Sequence, residues 1–199
     1  MAGSDTLGNT AMRKALLTIF TAVWVIGAPA GAGTELSEEA AFATVNAKTL
    51  DKEKFVFPDD VRGAQVNILF LAMGGDREDG TYQQDALLAW QAALEERGVF
   101  SDDVMAYHFP VMEGVPFFVK GIIVGAIRDS YEGKVPLDQA GVLFIKDLEA
   151  FAEAAGLVVD GQPTIVIATS EAKPLQSFKG EVSPEGVDEI VAAIEQIGQ

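Results

Sequence analysis

The sequence predicts an α/β protein with a mixed central sheet, helices on both faces, and a C-terminal β-hairpin followed by a last helix. Three observations predict it. Apolar runs of strand length, VNILFLAM at 66–73 and TIVIA at 164–168, alternate with segments whose apolar residues recur at helical spacing. Two strand-like runs between 164 and 178 are separated by a short polar turn. A composition of 49% apolar and 22% charged residues over 199 positions is that of a folded domain. Strands separated by helices imply parallel pairs, and the closing hairpin adds an antiparallel edge.

Residues 1–32 are expected to lie outside this fold. Met12-Arg13-Lys14 is a short basic start, 15–28 (ALLTIFTAVWVIGA) is an apolar core of 14 residues, and Ala28-Pro29-Ala30-Gly31-Ala32 places small residues at signal-peptidase spacing. That is the three-part layout of a secretory signal, with cleavage expected near Gly31 or Gly33. A membrane span needs about 20 residues, so a retained anchor helix is the competing reading. Residues 1–11 carry no targeting pattern, and Met12 is an alternative start. The domain is then 33–199. Losing 1–32 removes Asp5, Arg13 and Lys14, which leaves 12 bases against 29 acids over 167 residues.

Within the domain, Thr34–Phe57 is mixed and partly charged, and Pro58-Asp59-Asp60 with Arg62-Gly63 makes a turn. The run Val66–Met73 reads as a strand buried on both faces. GGDREDG at 74–80 is a polar loop, after which Thr81 caps a helix to Arg97 with Leu87, Trp90, Ala93 and Leu94 as its apolar stripe and Gly98 as its stop. Val104–Phe109 is a second strand, ended by Pro110. Pro116–Arg128 (PFFVKGIIVGAIR) is a helix with proline in its first turn, 131–141 is loop, and Val142–Ile145 is a short strand. Asp147 caps a helix with Leu148, Phe151, Ala155 and Leu157 on its buried side. Thr164–Ala168 and Leu175–Phe178 are strands joined by a turn at 169–174, and Ser183-Pro184 opens the last helix, marked by Val187, Ile190, Val191, Ile194 and Ile197.

Composition removes several chemistries. With 14 Lys+Arg against 30 Asp+Glu the net charge is −16, which makes phosphate backbones and anionic lipid poor partners. Zero cysteine excludes disulfides, thiolate catalysis and sulfur-ligated metals, and a single histidine excludes any site that needs two imidazoles. Walker loops, a strand-linked G-x-G-x-x-G and a basic stripe are all missing from the sequence. No cofactor or metal site, and no catalytic residue, is expected.

A resemblance enters at three places. PDDVRGAQVNILFLAM at 58–73, a Pro-acidic-Gly turn feeding a buried strand, resembles the entry of thioredoxin-like and peroxiredoxin-like domains. Gly161-Gln162-Pro163-Thr164-Ile165-Val166-Ile167 is similar to the strand start where thioredoxins place a cis-proline, and Phe178-Lys179-Gly180 before a terminal helix resembles the thioredoxin ending. The resemblance spans about residues 42–197 and implies a thioredoxin-like fold. The segment 118–128, FVKGIIVGAIR, resembles an insertion in cysteine-less periplasmic proteins of the YtfJ-like type, to which assembly factors of mitochondrial ATP synthase are related. Where thioredoxins carry W-C-G-P-C, this chain has Met73-Gly74-Gly75-Asp76-Arg77-Glu78-Asp79-Gly80, so thiol redox chemistry cannot be carried over.

Each candidate site has a plainer reading beside it. His108, the general-base candidate because imidazole titrates near neutrality, has no nucleophile motif to serve and reads as a structural or surface histidine. Asp76-Arg77-Glu78-Asp79-Gly80 fails as an EF-hand, because the twelfth position is Leu87 where a bidentate Glu is required; a solvated acidic loop at a helix N-terminus is favoured, with weak calcium binding in a non-EF geometry as the alternative. Gly121 and Gly125 form G-x-x-x-G, read as close packing of the helix against the sheet, with an exposed partner-binding patch as the alternative. Lys120 and Arg128 lie about 80° apart in helical projection and either hold an anion together or pair with acids. Asp59-Asp60 and Asp102-Asp103 are poor acid/base dyads, since neighbours on extended backbone face opposite ways.

The resemblance implies a cis Gln162–Pro163 bond facing the 74–80 loop across a shallow groove. Backbone groups of Gln162 and Thr164 would then receive an extended segment, and Asp76, Glu78 and Asp79 would favour a basic partner. The resulting expectation is an exported, non-redox thioredoxin-like protein of the Gram-negative periplasm. It would act by binding or assembly assistance on a protein or peptide partner, with membrane contact only if the signal segment is uncleaved. The alternatives are a metal- or carboxylate-assisted enzyme using His108, and a membrane-tethered accessory subunit.

Overall fold

The computed structural model describes residues 33–61, 65–74 and 77–198. The signal segment, Gly75 and Asp76 lie outside the described residues. In chain order the elements are β1 (Thr34–Glu35), β2 (Val45–Lys48), β3 (Lys54–Phe57), β4 (Val66–Met73), α1 (Arg77–Glu96), β5 (Val104–Glu113) and α2 (Phe117–Tyr131). A 3-10 turn (Leu137–Gln139) follows, then β6 (Leu143–Ile145), α3 (Leu148–Ala154), β7 (Thr164–Thr169), β8 (Pro174–Lys179) and α4 (Pro184–Ile197).

Six strands form one mixed sheet in the order β1-β8-β7-β4-β5-β6, while β2 and β3 pair as a separate hairpin. β4 is its centre, parallel to β5 on one side and antiparallel to β7 on the other. All eight of its residues are buried, as an unbroken apolar run requires. The closing hairpin is less marginal than the sequence suggested. Its first strand, β7, lies inside the sheet between β4 and β8, because TIVIA must be covered on both faces, and β1 adds the outer edge.

Alternate side chains of β4 divide the interior. Leu69, Leu71 and Met73 join Phe42, Phe57, Phe109 and Phe151 beneath α3 and the β2–β3 hairpin. Ile68 and Phe70 join Leu87, Trp90 and Leu94 of α1 and Val187 and Ile190 of α4 on the opposite face. Helices therefore cover both faces. A third cluster, built on Ile127, Tyr131, Val135 and Val142, fastens α2 beside β6.

The start and stop chemistry read from the sequence is present at three helix ends. Asp147 accepts from the Ala150 N–H and Ser183 from the Gly186 N–H, each satisfying an orphan donor of the first turn. Gly98, at φ 68°, closes α1: its N–H donates to the Glu95 carbonyl and the Val99 N–H to that of Leu94.

Four expectations are corrected. α1 begins at Arg77, a turn before Thr81, which lies inside the helix. β5 runs through Pro110 to Glu113. Proline is tolerated because on the β6 side it falls between a lone bridge, His108–Ala140, and the first regular pair, Val111–Leu143, where the missing donor costs little. α2 extends to Tyr131, whose ring is buried in the third cluster. Finally, Gln162–Pro163 is trans, and the cis bond among the described residues is Phe57–Pro58. The chain instead reverses before β7 through Gly161 at φ 73°, while the Asp160 carboxylate accepts from the Gln162 N–H at 3.2 Å.

Candidate binding cleft

Where the active-site loop of a thioredoxin would stand, the C-terminal end of β4 is held by a side chain the sequence did not single out. Gln83 is wholly buried. Its Oε1 accepts from the Met73 N–H at 2.7 Å, and its Nε2 lies 3.3 Å from the carbonyls of both Met73 and Gly74. Met73 lies beyond Leu71–Thr164, the last pair of the β4–β7 ladder, and Gln83 supplies the partners that the ladder no longer can. The signal was present in the sequence: Gln83 stands one turn before Leu87 at the head of the stripe continued by Trp90 and Leu94. At Gly74, φ is 75°, and a Cβ would lie 2.7 Å from Val159, so only glycine fits the turn.

Beyond this point opens a cleft of about 900 Å3. One wall is the first turns of α1 (Gly80, Thr81, Asp85), the floor is the end of β5 (Pro110–Glu113), and the far wall is α2 (Ile122, Ile123, Ala126). Its charged lining residues, among those described, are both acids: Asp85 and Glu113.

α2 is apolar on two faces. Ile123, Val124, Ile127 and Tyr131 pack inward. Phe118, Gly121, Ile122, Gly125 and Ala126, at i, i+3, i+4, i+7 and i+8, form a second stripe on the outside, with Phe118 81% and Ile122 72% exposed and the adjoining Phe117 90% exposed. A Cβ at Gly121 or Gly125 would meet nothing within 4 Å. The expected packing of this G-x-x-x-G against the sheet is therefore corrected: the glycines face outward, because the inward stripe is already supplied by the β-branched residues and Tyr131.

The other predicted site residues fall as follows. Asp79 is exposed in the first turn of α1. Gln162, Pro163 and Thr164 lie at the start of β7, on the Val159 side of Gly74, and do not line the cleft. Thr164 is buried, and its hydroxyl donates to the Gln162 carbonyl. Lys120 and Arg128 form no ion pair among the described residues; Lys120 instead places Nζ 4.6 Å from the centre of the Phe144 ring, a cation–π contact. His108 is buried on β5, stacked on Phe70 at 4.4 Å, with Nε2 on Gln91 Oε1, and edge-on to Tyr131. Burial pulls its pKa down to about 3, so the ring is neutral at physiological pH. Burial, reinforced by the Asp85 charge, raises that of Tyr131.

No protein family model matches the chain, and no curated protein matches it in sequence. Its likeness is to solved structures. BsSco, a member of the Sco family of cytochrome c oxidase assembly proteins, superposes with a TM-score of 0.55 at 13% identity, over 82% of this chain and 96% of that one. Yeast Sco1 with copper bound superposes with a TM-score of 0.55 at 10% identity, over 80% and 95%. A secreted thiol-disulfide isomerase from Corynebacterium glutamicum superposes with a TM-score of 0.50 at 16% identity, over 84% and 92%. The chain thus has the thioredoxin-like fold. The copper of the yeast protein has no matching donor set here. There is no cysteine, His108 is buried with Nε2 engaged, and no three His, Asp or Glu side chains among the described residues could hold a metal ion together. The described methionines Met73, Met105 and Met112 pack in hydrophobic clusters.

Proposed function

We propose that this chain is an exported, non-redox thioredoxin-like protein of the YtfJ-like type that binds a protein partner and assists its assembly in the periplasm. The observation that carries the reading is the open apolar wall of α2 beside a cleft at the end of β4, in a chain with no cysteine. An apolar stripe left in water is unusual on a monomer and marks an interaction surface. The membership of BsSco in a family of assembly proteins supports the same direction. Asp76, Glu78 and Asp79 immediately precede Gly80 and Thr81 of the cleft wall and favour a basic partner. The start of β7 at Gln162–Thr164 is a secondary contact on the other flank of Gly74. Export rests on the signal-like segment, with the mature chain beginning near residue 31 or 33.

Capture of partner from the native envelope tests this. Phe118→Asp with Ile122→Asp should abolish capture, and Asp76→Asn, Glu78→Gln, Asp79→Asn together should weaken it. Capture that survives both sets places the binding surface elsewhere. Intact mass of exported protein checks processing: retention of residues 15–28 would favour a tethered subunit. An insulin-reduction assay should match buffer, because a mixed disulfide cannot form without a thiolate.

A further inference from the structure

Resting on the export reading, we infer that the chain is cleaved between Ala32 and Gly33 and that the α-ammonium so released is received by the Glu189 carboxylate of α4, which fastens the start of β1 to the body of the domain. The sequence offers two bonds to a peptidase that reads small residues at alternate positions, one after Ala28-Pro29-Ala30 and one after Ala30-Gly31-Ala32. The surroundings of the following residue distinguish them. The Gly33 N–H donates to Glu189 Oε2 at 3.0 Å, across 156 positions of sequence. The next residues are tied to β8: Thr34 pairs with Ser177, Glu35 pairs with Gln176, and the Leu36 N–H donates to the Leu175 carbonyl. Gly33 is small for a different reason from Ala30 and Ala32. A Cβ on it would run into the Gln176 amide and stand 2.6 Å from the ring of Phe178, which is wholly buried and cannot easily withdraw. Small residues up to Ala32 serve the peptidase, Gly33 is required by the fold, and the two requirements meet at one bond.

Cleavage changes the chemistry of the Gly33 nitrogen. In the uncut chain, or in one cut after Ala30, it is an uncharged amide with one hydrogen. Hydrolysis of the Ala32–Gly33 amide places the oxygen of water on the Ala32 carbonyl carbon, which leaves as a carboxylate, and both hydrogens of water end on the Gly33 nitrogen. The contact with Glu189 then joins two charges and becomes a charge-assisted hydrogen bond. Other side chains leave Glu189 to it. The ion pairs among the described residues are Arg97–Asp188 and Lys179–Asp160, so the one base of β8 is already engaged elsewhere. The remaining charged side chains on β1 and α4 are the acids Glu35, Glu185 and Glu195.

The test begins with the intact mass of the full chain after export, where a mature form starting at Gly33 is expected. A start at Gly31 overturns the inference and leaves export standing; a form that keeps residues 15–28 overturns the export reading as well. Labelled glycine nitrogen then reports on the pair by NMR. In the exported protein the α-amino group should titrate above its usual range of about 7.7–8.0 and return to that range in Glu189→Gln. A value inside the range in both proteins overturns the inference. Ala32→Leu removes the small residue before the bond and should move cleavage to Ala30–Gly31. The unfolding midpoint should then fall by about 1–3 °C, the scale of one exposed ion pair in a domain of this size, and should not fall in a Glu189→Gln background. A midpoint that Ala32→Leu leaves unchanged, or lowers equally in both backgrounds, overturns the seating of the ammonium on Glu189. Loss of all processing in Ala32→Leu supports the assigned bond, and the α-amino titration then decides the pairing.

Discussion

Gln83 is a polar side chain at the head of an apolar helical stripe, and its amide closes the main chain of Met73 where the β7 ladder has ended. Gln83→Leu keeps the volume and the helix but orphans the buried N–H and C=O of Met73. Each orphaned group costs about 1–3 kcal/mol, so chemical denaturation should show a loss of that order. A stability unchanged by Gln83→Leu would mean that water reaches the end of β4. His108 has the opposite character, an ionisable ring held neutral by burial between Phe70 and Tyr131. Its folded pKa is below its unfolded value, so its contribution is complete above about pH 6.5 and is lost as pH falls toward about 3, where the unfolded chain binds a proton that the folded chain refuses. His108→Gln removes that proton while the carboxylates stay the same. The stability difference between wild type and variant should be flat above neutrality and should shrink, by up to about 1.4 kcal/mol per pH unit, below about pH 6. A difference that stays constant down to about pH 4.5 would place His108 in contact with water.

Three glycines in two helices make the argument at the scale of elements. Gly121 and Gly125 lie in the interior of α2 with open space around the missing Cβ, whereas Gly186 lies in the first turn of α4, where a Cβ would stand 2.5 Å from the Trp90 ring. Trp90 cannot retreat easily, since it is fully buried and its Nε1 donates to the Gly180 carbonyl at 2.9 Å. The same substitution should therefore have opposite signs. Gly121→Ala and Gly125→Ala should each stabilise by about 0.5–1 kcal/mol through helix propensity alone. Gly186→Ala should destabilise by about 1–3 kcal/mol through overpacking. Thermal unfolding of the three variants checks this directly. A destabilising Gly125→Ala would show that the outer seam of α2 is already occupied. Propensity that α2 forgoes at two positions fits a face kept bare for a partner.

Across the whole molecule, 30 acids face 14 bases, and the ion pairs among the described residues are Arg97–Asp188 and Lys179–Asp160, both at the surface. Surface pairs contribute little, about 0–1 kcal/mol each, so self-repulsion between acids is the larger electrostatic effect. Added salt shortens the Debye length from about 30 Å at 0.01 M to about 8 Å at 0.15 M, which screens that repulsion. The unfolding midpoint should rise by a few degrees over this range, and a midpoint that falls would show that local attractions outweigh the net charge. The same screening should weaken capture of a basic partner, so stability and binding should move in opposite directions with salt.

Strand runs, helix stripes and cap residues were readable because each depends on neighbours within a few positions: Asp147 and Ser183 at their N-caps, Gly98 at its stop, Val66–Met73 as a buried strand. Composition likewise determined the absence of thiol chemistry, since no fold supplies a missing sulfur. Pairing decided the rest. Whether Pro110 ends β5 depends on where β6 begins, and whether Gln162–Pro163 must be cis depends on how Gly161 and Asp160 turn the chain. The outward direction of Gly121 and Gly125 was decided by which stripe of an all-apolar helix the third cluster accepted. Periodicity marks the two stripes of α2 equally; only the tertiary contacts of Ile127 and Tyr131 select which one is buried and which is left exposed.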